Sequence, residues 1–356
     1  MGESPLEVCI RLDDVFKNTN VEIVIDEVIN ISSVDNTVVG KSGSLYKYTD
    51  LILALGSETT YFNIEGLAER AFGFKSISEA LKLKRHLHEM FEVYLSSKKE
   101  DLITQLHIVV VGGGPSGIEL ASELVGYMKS LSKKHAIDNT FVTIDIVEAA
   151  PRLAPMLPPV VTEHIYNRLH SLGVNIFLNR TVMKEDVDEI TMKDMSLKSN
   201  TLIWTAGSRA NHLYGQIASL KVNKTGKVLV GEYLNADGVE NIYIIGDGAA
   251  TTYSGMAQTA IYDGKYIAKL LFSKYNNKTL SKYVPKKVAY AVPVGPYWAA
   301  VSVGPFKLYG FFAWFLRQFI DLEFFLSILP LSKAIRAYRP STHNSESCPT
   351  CNDIND

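Results

Sequence analysis

The stretch VVVGGGPSGIEL, from Val109 to Leu120, decides how the chain folds. A valine run of this kind reads as a buried strand. Gly112, Gly114 and Gly117 then stand in G-x-G-x-x-G order where a helix begins. The first glycine allows the tight turn, the second lets a pyrophosphate approach the backbone, and the third lets helix and strand pack closely. The helix N-terminus adds free N–H groups and the positive end of its dipole. Gly112, Gly113, Gly114, Pro115, Ser116, Gly117 and Ile118 are therefore the expected phosphate-contacting segment. Glu148 ends the next strand, in IVEAAPRL, where its carboxylate can accept hydrogen bonds from a ribose 2′-hydroxyl. It would repel a 2′-phosphate, so the pattern favours NADH over NADPH. Glu148 follows Gly117 by 31 residues, against the usual spacing of about 20, and SKKHAIDN reads as the insertion responsible. A glycine cluster alone could be a plain turn. Strand, fingerprint, helix, strand and acid in succession point instead to a dinucleotide.

Such a motif normally opens a domain, yet here about a hundred residues precede it. That segment carries short strand-like runs (VEIVI at 21–25, VINIS at 28–32, LILAL at 51–55) and a Leu/Lys-rich helical stretch from Ser78 to Ser96. Residues 105–237 alternate strand and helix. Continuous apolar strands in that setting predict a parallel sheet covered on both faces. There is also an internal echo: TDLILALGSE at 49–58 and NTLIWTAGSR at 200–209 share Leu, Ile, Gly and Ser in register. Such self-similarity suggests two copies of one domain type. Gly207 follows the fingerprint Gly112 by 95 residues, and the same offset back from Gly56 falls before Met1. The fingerprint at Gly112 is thus read as the second of two nucleotide sites, with the first domain N-terminally incomplete.

Composition limits the function classes. A chain of 356 residues suffices for two domains. Its 47% apolar and 21% charged residues are globular values, and a net charge of −2 recruits no nucleic acid. Three cysteines make no disulfide framework and suit a reducing setting. Residues 1–30 lack a signal-peptide pattern, and no uninterrupted apolar run reaches the 18 or so residues of a membrane-spanning helix.

NIYIIGDGAA places Asp247 at the end of a buried strand, ahead of a second helix. There it can accept a hydrogen bond from a sugar or ribitol hydroxyl, or simply cap a strand–turn–helix. With GGGPSGIELA, VEAAPRL, WTAGSR, YIIGDGA and AQTA in that order, residues 45–335 resemble the flavoproteins with two dinucleotide-binding domains. Within them they resemble the type II NADH dehydrogenases, monotopic NADH:quinone oxidoreductases of the respiratory chain.

The resemblance implies an α/β fold of two Rossmann-like domains. The FAD domain is split and N-terminally incomplete (1–104 and 238–285), with the NADH domain (105–237) inserted. It implies FAD against Ala54, Leu55 and Gly56 and at Gly246 and Asp247, with NADH also reaching Ala206 and Gly207. Ala257 and Gln258 match a pair near the flavin ring and quinone channel. The helix they open would aim its positive end at the flavin and ease hydride acceptance. Glu119 matches a glutamate facing the nicotinamide; its plainer reading is a solvated residue of the first helical turn. Glu119 and Gln258 are the expected tuning residues, and no metal is expected.

The stretch 308–339, LYGFFAWFLRQFIDLEFFLSILPLSKAIRAYR, is aromatic but interrupted by Arg317, Asp321 and Glu323. Arg317, Gln318 and Asp321 share one helix face. Such a segment (286–339) can lie in the membrane interface on the cytoplasmic side, with Lys333, Arg336 and Arg339 near phosphate. Its plainer reading is a helix packed on the protein's own core or a homodimer contact; the membrane is favoured, because quinones reside there and the matching segment of the family it resembles does this. Residues 340–356 read as a disordered tail. The C-x-x-C pair Cys348 and Cys351 lacks the partners of a zinc or redox site, and His135, His164, His170 and His212 show no ligand spacing. Two further readings remain: a soluble flavoprotein reductase with a dithiol or protein acceptor, and a non-catalytic NADH-binding remnant.

Overall fold

The computed structural model describes residues 10–96 and 106–338. The tail 340–356, with Cys348 and Cys351, lies outside them. The chain divides into two units. One contains Tyr61–Gly207 and the segment from Ala289 onward, the other Glu22–Thr60 and Ser208–Val288.

The first unit is built on five parallel strands in the order Phe72–Gly73, Thr201–Trp204, His107–Val111, Thr143–Val147 and Asn175–Phe177. Alternate residues of the inner strands point to opposite faces. Ile108, Val110, Ile144, Ile146 and Ile203 pack with helices Ile77–Ser96, Pro115–Lys134 and Pro159–Ser171 through Leu83, Leu87, Phe91, Ile118, Leu124 and Ile165. Val109, Val111, Leu202 and Trp204 pack instead with Val182, Ile190 and Met192. Those three belong to an antiparallel meander, Val182–Glu185, Glu189–Met192 and Ser196–Lys198. With both faces covered, the inner strands are mainly apolar, Thr201 and Asp145 being buried polar exceptions. The predicted insertion proves to be the long end of the fingerprint helix, reaching Lys134, and a turn at Asn139–Phe141 capped by Asp138.

The boundaries fall elsewhere than the sequence suggested. Residues from Tyr61 onward lie in the nucleotide-fingerprint unit, because Phe72–Gly73 pairs with Thr201–Trp204 as the sheet's edge and helix Ile77–Ser96 shares its core. Residues 208–237 lie in the other unit, where Leu213, Tyr214, Val228 and Ala236 join Leu53, Ile242 and Ile244 in one cluster.

That second unit contains a meander of Val28–Ser32, Thr37–Gly40 and Leu45–Lys47, and a parallel pair of Leu51–Leu53 with Ile242–Ile244. Helix Ala257–Tyr275 follows. The run VEIVI at 21–25 is not a strand: it has no ladder partner, and Ile25 is 99% exposed. The two echo segments meet through their tails, Ser57–Thr59 pairing antiparallel with Ser208–Ala210.

At the start of the fingerprint strand, His107 Nε2 lies 2.7 Å from Asp145 Oδ2 and Nδ1 lies 2.7 Å from the Lys198 carbonyl. Both partners accept hydrogen bonds, so the doubly protonated ring satisfies both. Burial opposes that charge, but the bonds to Asp145 and Lys198 outweigh it, and the pKa of His107 is raised. A raised folded-state pKa gives stability that is fully present below the unfolded value and is lost as pH rises through the folded one. Melting temperature is therefore expected to fall between mildly acidic and mildly alkaline buffer, and His107→Asn to flatten that slope. An equal slope in the variant would refute this assignment.

In the first unit, a C-terminal antiparallel sheet of Tyr290–Pro293, Ala299–Val303 and Phe306–Gly310 docks on helix Pro159–Ser171. Arg168 donates to the Val294 and Pro296 carbonyls at 3.2 and 3.3 Å, and His164 meets the Tyr309 ring edge-on. The aromatic stretch thus begins as a strand. Gly310, with φ +78°, turns it into helix Phe311–Ile328, and helix Leu331–Tyr338 follows Pro330. Among the described residues, no helix is long and apolar enough to cross a membrane.

Candidate nucleotide and flavin sites

In the first unit the three fingerprint glycines have three different surroundings. Gly112 has φ +113°, and a Cβ there would lie 2.7 Å from the Ala206 nitrogen. A Cβ on Gly117 would lie 1.8 Å from the Gly112 carbonyl. A Cβ on Gly114 would meet nothing within 4 Å. The first and third glycines are thus filled by protein, and the second faces open space at the N-cap of helix Pro115–Lys134. That N-cap makes no side-chain hydrogen bond, leaving the first-turn N–H groups to a ligand. Thr205 closes the turn, its hydroxyl donating to the Val111 carbonyl at 2.9 Å and lying 3.2 Å from that of Gly112.

Glu148 stands beside this turn and takes part in holding it. Its Oε2 accepts from the Gly113 N–H at 2.6 Å and its Oε1 from the Ala150 N–H at 2.7 Å. Each oxygen has a second lone pair, so the orientation set by the loop is compatible with accepting from ribose. Ala206 is exposed at the rim, and Gly207 is buried.

Glu119 is not a solvated helix residue. It is half-buried, and burial pushes its pKa up to about 7. Arg317 of helix Phe311–Ile328 acts against that rise, while Asp321 and Glu123 add to it. Arg317 and Asp321 form the expected i,i+4 pair at 3.6 Å. The fingerprint helix and the aromatic helix thus share one charge cluster.

In the second unit, Ala54–Gly56 and Gly246–Asp247 follow the two parallel strands at the same end. Ser57 donates to Asp247 Oδ2 at 2.6 Å, and Tyr214 accepts from the Leu55 N–H at 3.1 Å. Tyr214 is fully buried, with its hydroxyl 2.2 Å from where a Gly248 Cβ would stand. Ala257 and Gln258 are the exposed first residues of helix Ala257–Tyr275, whose N-cap, Met256, makes no side-chain bond. An oriented carboxylate, two backbone turns and an uncapped helix end fit the sugar-alcohol and ring portions of a flavin nucleotide. The single glycine fingerprint lies in the other unit. Described residues 28–47 form the antiparallel meander rather than a glycine turn entering a helix.

Sequence reasoning missed Thr205, Tyr214 and Asp263. Only Asp263 left a signal, a carboxylate among the inward positions of an amphipathic helix. Among the described residues no cluster of three or more His, Cys, Asp or Glu groups could hold a metal ion.

The family model for pyridine nucleotide-disulphide oxidoreductases matches residues 7–264. A type II NADH:quinone oxidoreductase of Staphylococcus haemolyticus is 30% identical over 76% of this chain and 69% of its own length. One from Mycobacterium tuberculosis is 30% identical over 90% of this chain and 72% of its own. Among solved structures, NDH2 from Plasmodium falciparum in complex with NADH superposes with a TM-score of 0.79 at 18% identity, covering 95% of this chain and 87% of that one. That likeness shows the fold.

Proposed function

The chain belongs to the pyridine nucleotide-disulphide oxidoreductase family, among its type II NADH:quinone oxidoreductases, and on that premise we propose that it oxidises NADH and reduces a quinone at a membrane surface. The observation that carries this reading is the open space over Gly114, framed by a glycine turn that Glu148 and Thr205 hold shut on its other sides.

FAD, when bound, would supply the redox chemistry that links a hydride donor to a two-electron acceptor. The chain's own residues bind and orient. The N–H groups opening helix Pro115–Lys134 hold the NADH pyrophosphate, and Glu148 takes the ribose hydroxyls, selecting against a 2′-phosphate. Asp247, steadied by Ser57, would take a ribitol hydroxyl of FAD, and Ala54–Gly56 would line the same cofactor. The helix end at Ala257 and Gln258, without a side-chain cap, would offer partial positive charge to a reduced flavin. Orientation of this kind is the protein's main contribution when cofactors carry the chemistry.

Titration of FAD and then NADH into the purified chain tests the reading. The visible flavin band is expected to bleach with NADH and return with quinone. An FAD-loaded chain that NADH cannot bleach would sink it.

Glu119 is proposed to tune quinone reduction. Its carboxyl is neutral below about pH 7 and charged above, so the charge beside Arg317 changes within the working range. Quinone-dependent turnover is expected to inflect near pH 7, and Glu119→Gln to remove that inflection. An inflection that survives in the variant belongs to another group.

Attachment to the membrane is assigned to helix Phe311–Ile328. Its exposed phenylalanines, Phe311, Phe312, Phe315 and Phe319, are 50% or more exposed. We place this surface on the cytoplasmic leaflet, whose anionic headgroups suit the basic sequence that follows Pro330.

A further inference from the structure

A side chain outside every recognised motif holds the Gly246–Asp247 turn. Strand Ile242–Ile244 pairs with Leu51–Leu53, and the next N–H, of Ile245, still reaches the Leu53 carbonyl at 3.2 Å. Gly246 leaves the ladder with φ +66°. Its N–H then has no strand to bond, and Asp263 Oδ2 accepts it at 3.0 Å. Asp263 Oδ1 accepts from the Tyr283 hydroxyl at 2.7 Å.

Asp263 is fully buried on helix Ala257–Tyr275, and neither of these donors is a cation. An apolar residue would occupy that position at far lower desolvation cost. What the carboxylate provides is a fixed acceptor for one backbone N–H. The other side of the turn is held as well: Ser254 Oγ, 3.1 Å from Lys227 Nζ, lies 3.0 Å from the Gly246 carbonyl and 3.3 Å from that of Asp247. The Asp247 carboxylate is meanwhile oriented by Ser57. The turn is therefore preorganised from its N–H, its carbonyls and its side chain.

We infer that Asp263 is a positioning residue for flavin binding. By fixing the Gly246 N–H it sets the left-handed turn that presents the Asp247 carboxylate to a ribitol hydroxyl. Tyr283 steadies Asp263 in that role. This inference rests on the FAD reading above.

The test is FAD and NADH titration of the full-length chain, native and substituted. Asp263→Ala is expected to raise the FAD Kd about tenfold, the effect of losing one charge-assisted hydrogen bond. Its NADH Kd should stay unchanged, because Gly112–Gly117 belongs to the other unit. Asp263→Asn keeps a carbonyl oxygen for the Gly246 N–H and should recover most of the FAD affinity. An unchanged FAD Kd in the Ala variant overturns the inference. So does an Asn variant as weak as the Ala one, or loss of NADH binding in step with FAD, which marks a general structural role. If Asp263→Ala does not fold, Tyr283→Phe removes one hydroxyl only. It should weaken FAD binding with NADH binding intact, and undiminished FAD binding there overturns the inference equally. Failure of the native chain to bind FAD refutes the parent reading and is seen before any substitution is made.

Discussion

Valine at position 114 will abolish tight NADH binding and leave the chain folded. A Cβ at Gly114 meets no protein atom within 4 Å, and the backbone there is extended, with φ −75° and ψ 177°. A β-branched side chain accepts such a conformation without strain. What it fills is the space through which a pyrophosphate approaches the helix N-terminus. The expected loss is about a hundredfold in NADH Kd, roughly 2.8 kcal/mol, with melting temperature near that of the native chain. Gly117→Ala is the contrasting case. Its methyl would stand 1.8 Å from the Gly112 carbonyl oxygen, a backbone atom that cannot swing aside. Overpacking of that kind costs about 3 kcal/mol, so this variant is expected to lose stability first and binding as a consequence. Tm by calorimetry and NADH affinity by fluorescence separate the two. If Gly114→Val bound NADH normally, the open face would not be the nucleotide site.

The contrast between those two glycines also shows which parts of the molecule were readable from the sequence. The fingerprint was legible because its constraints are local: strand, turn and helix follow one another within Val109–Leu120. The Gly246–Asp247 turn was legible for the same reason. The meander Val182–Lys198 left little signal, because its strands are three or four residues long and partly polar. Phe72–Gly73 is a two-residue strand that exists only because Thr201–Trp204 lies beside it, so the unit boundary near Tyr61 could not be read from composition. VEIVI shows the reverse error. β-propensity describes fitness for a pleated, half-buried surface, and residues 21–25 have no neighbouring strand to provide one. Asp263 holds a backbone group 17 residues earlier in the chain, and Tyr214 one 159 residues earlier. Neither relation is periodic. The repeat of TDLILALGSE in NTLIWTAGSR was visible, whereas the pairing of Ser57–Thr59 with Ser208–Ala210 came only with the fold.

Replacing Phe311, Phe312, Phe315 and Phe319 together with serine will release the protein from lipid. These side chains are 54%, 72%, 50% and 53% exposed. Contiguous apolar exposure of this extent marks a surface that something else covers. A membrane interface suits it better than water does, since the helix also carries Arg317 and Asp321 on one face and basic residues follow it. Fully burying an exposed phenylalanine contributes about 1.5–3 kcal/mol, and these four are already partly covered. Covering the rest contributes about 4 kcal/mol, or roughly three decades in partition between vesicle and water. Co-sedimentation with anionic phospholipid vesicles reads this directly. The same variant should keep its NADH affinity and its activity toward a water-soluble quinone, and lose activity toward a quinone dissolved in the vesicle. Salt separates the two contributions: basic residues near headgroups weaken with ionic strength, and buried phenylalanines do not. A native chain that ignores vesicles and sediments as a dimer would instead assign these rings to a second copy. A quadruple variant that still binds vesicles would move the attachment surface elsewhere on the protein.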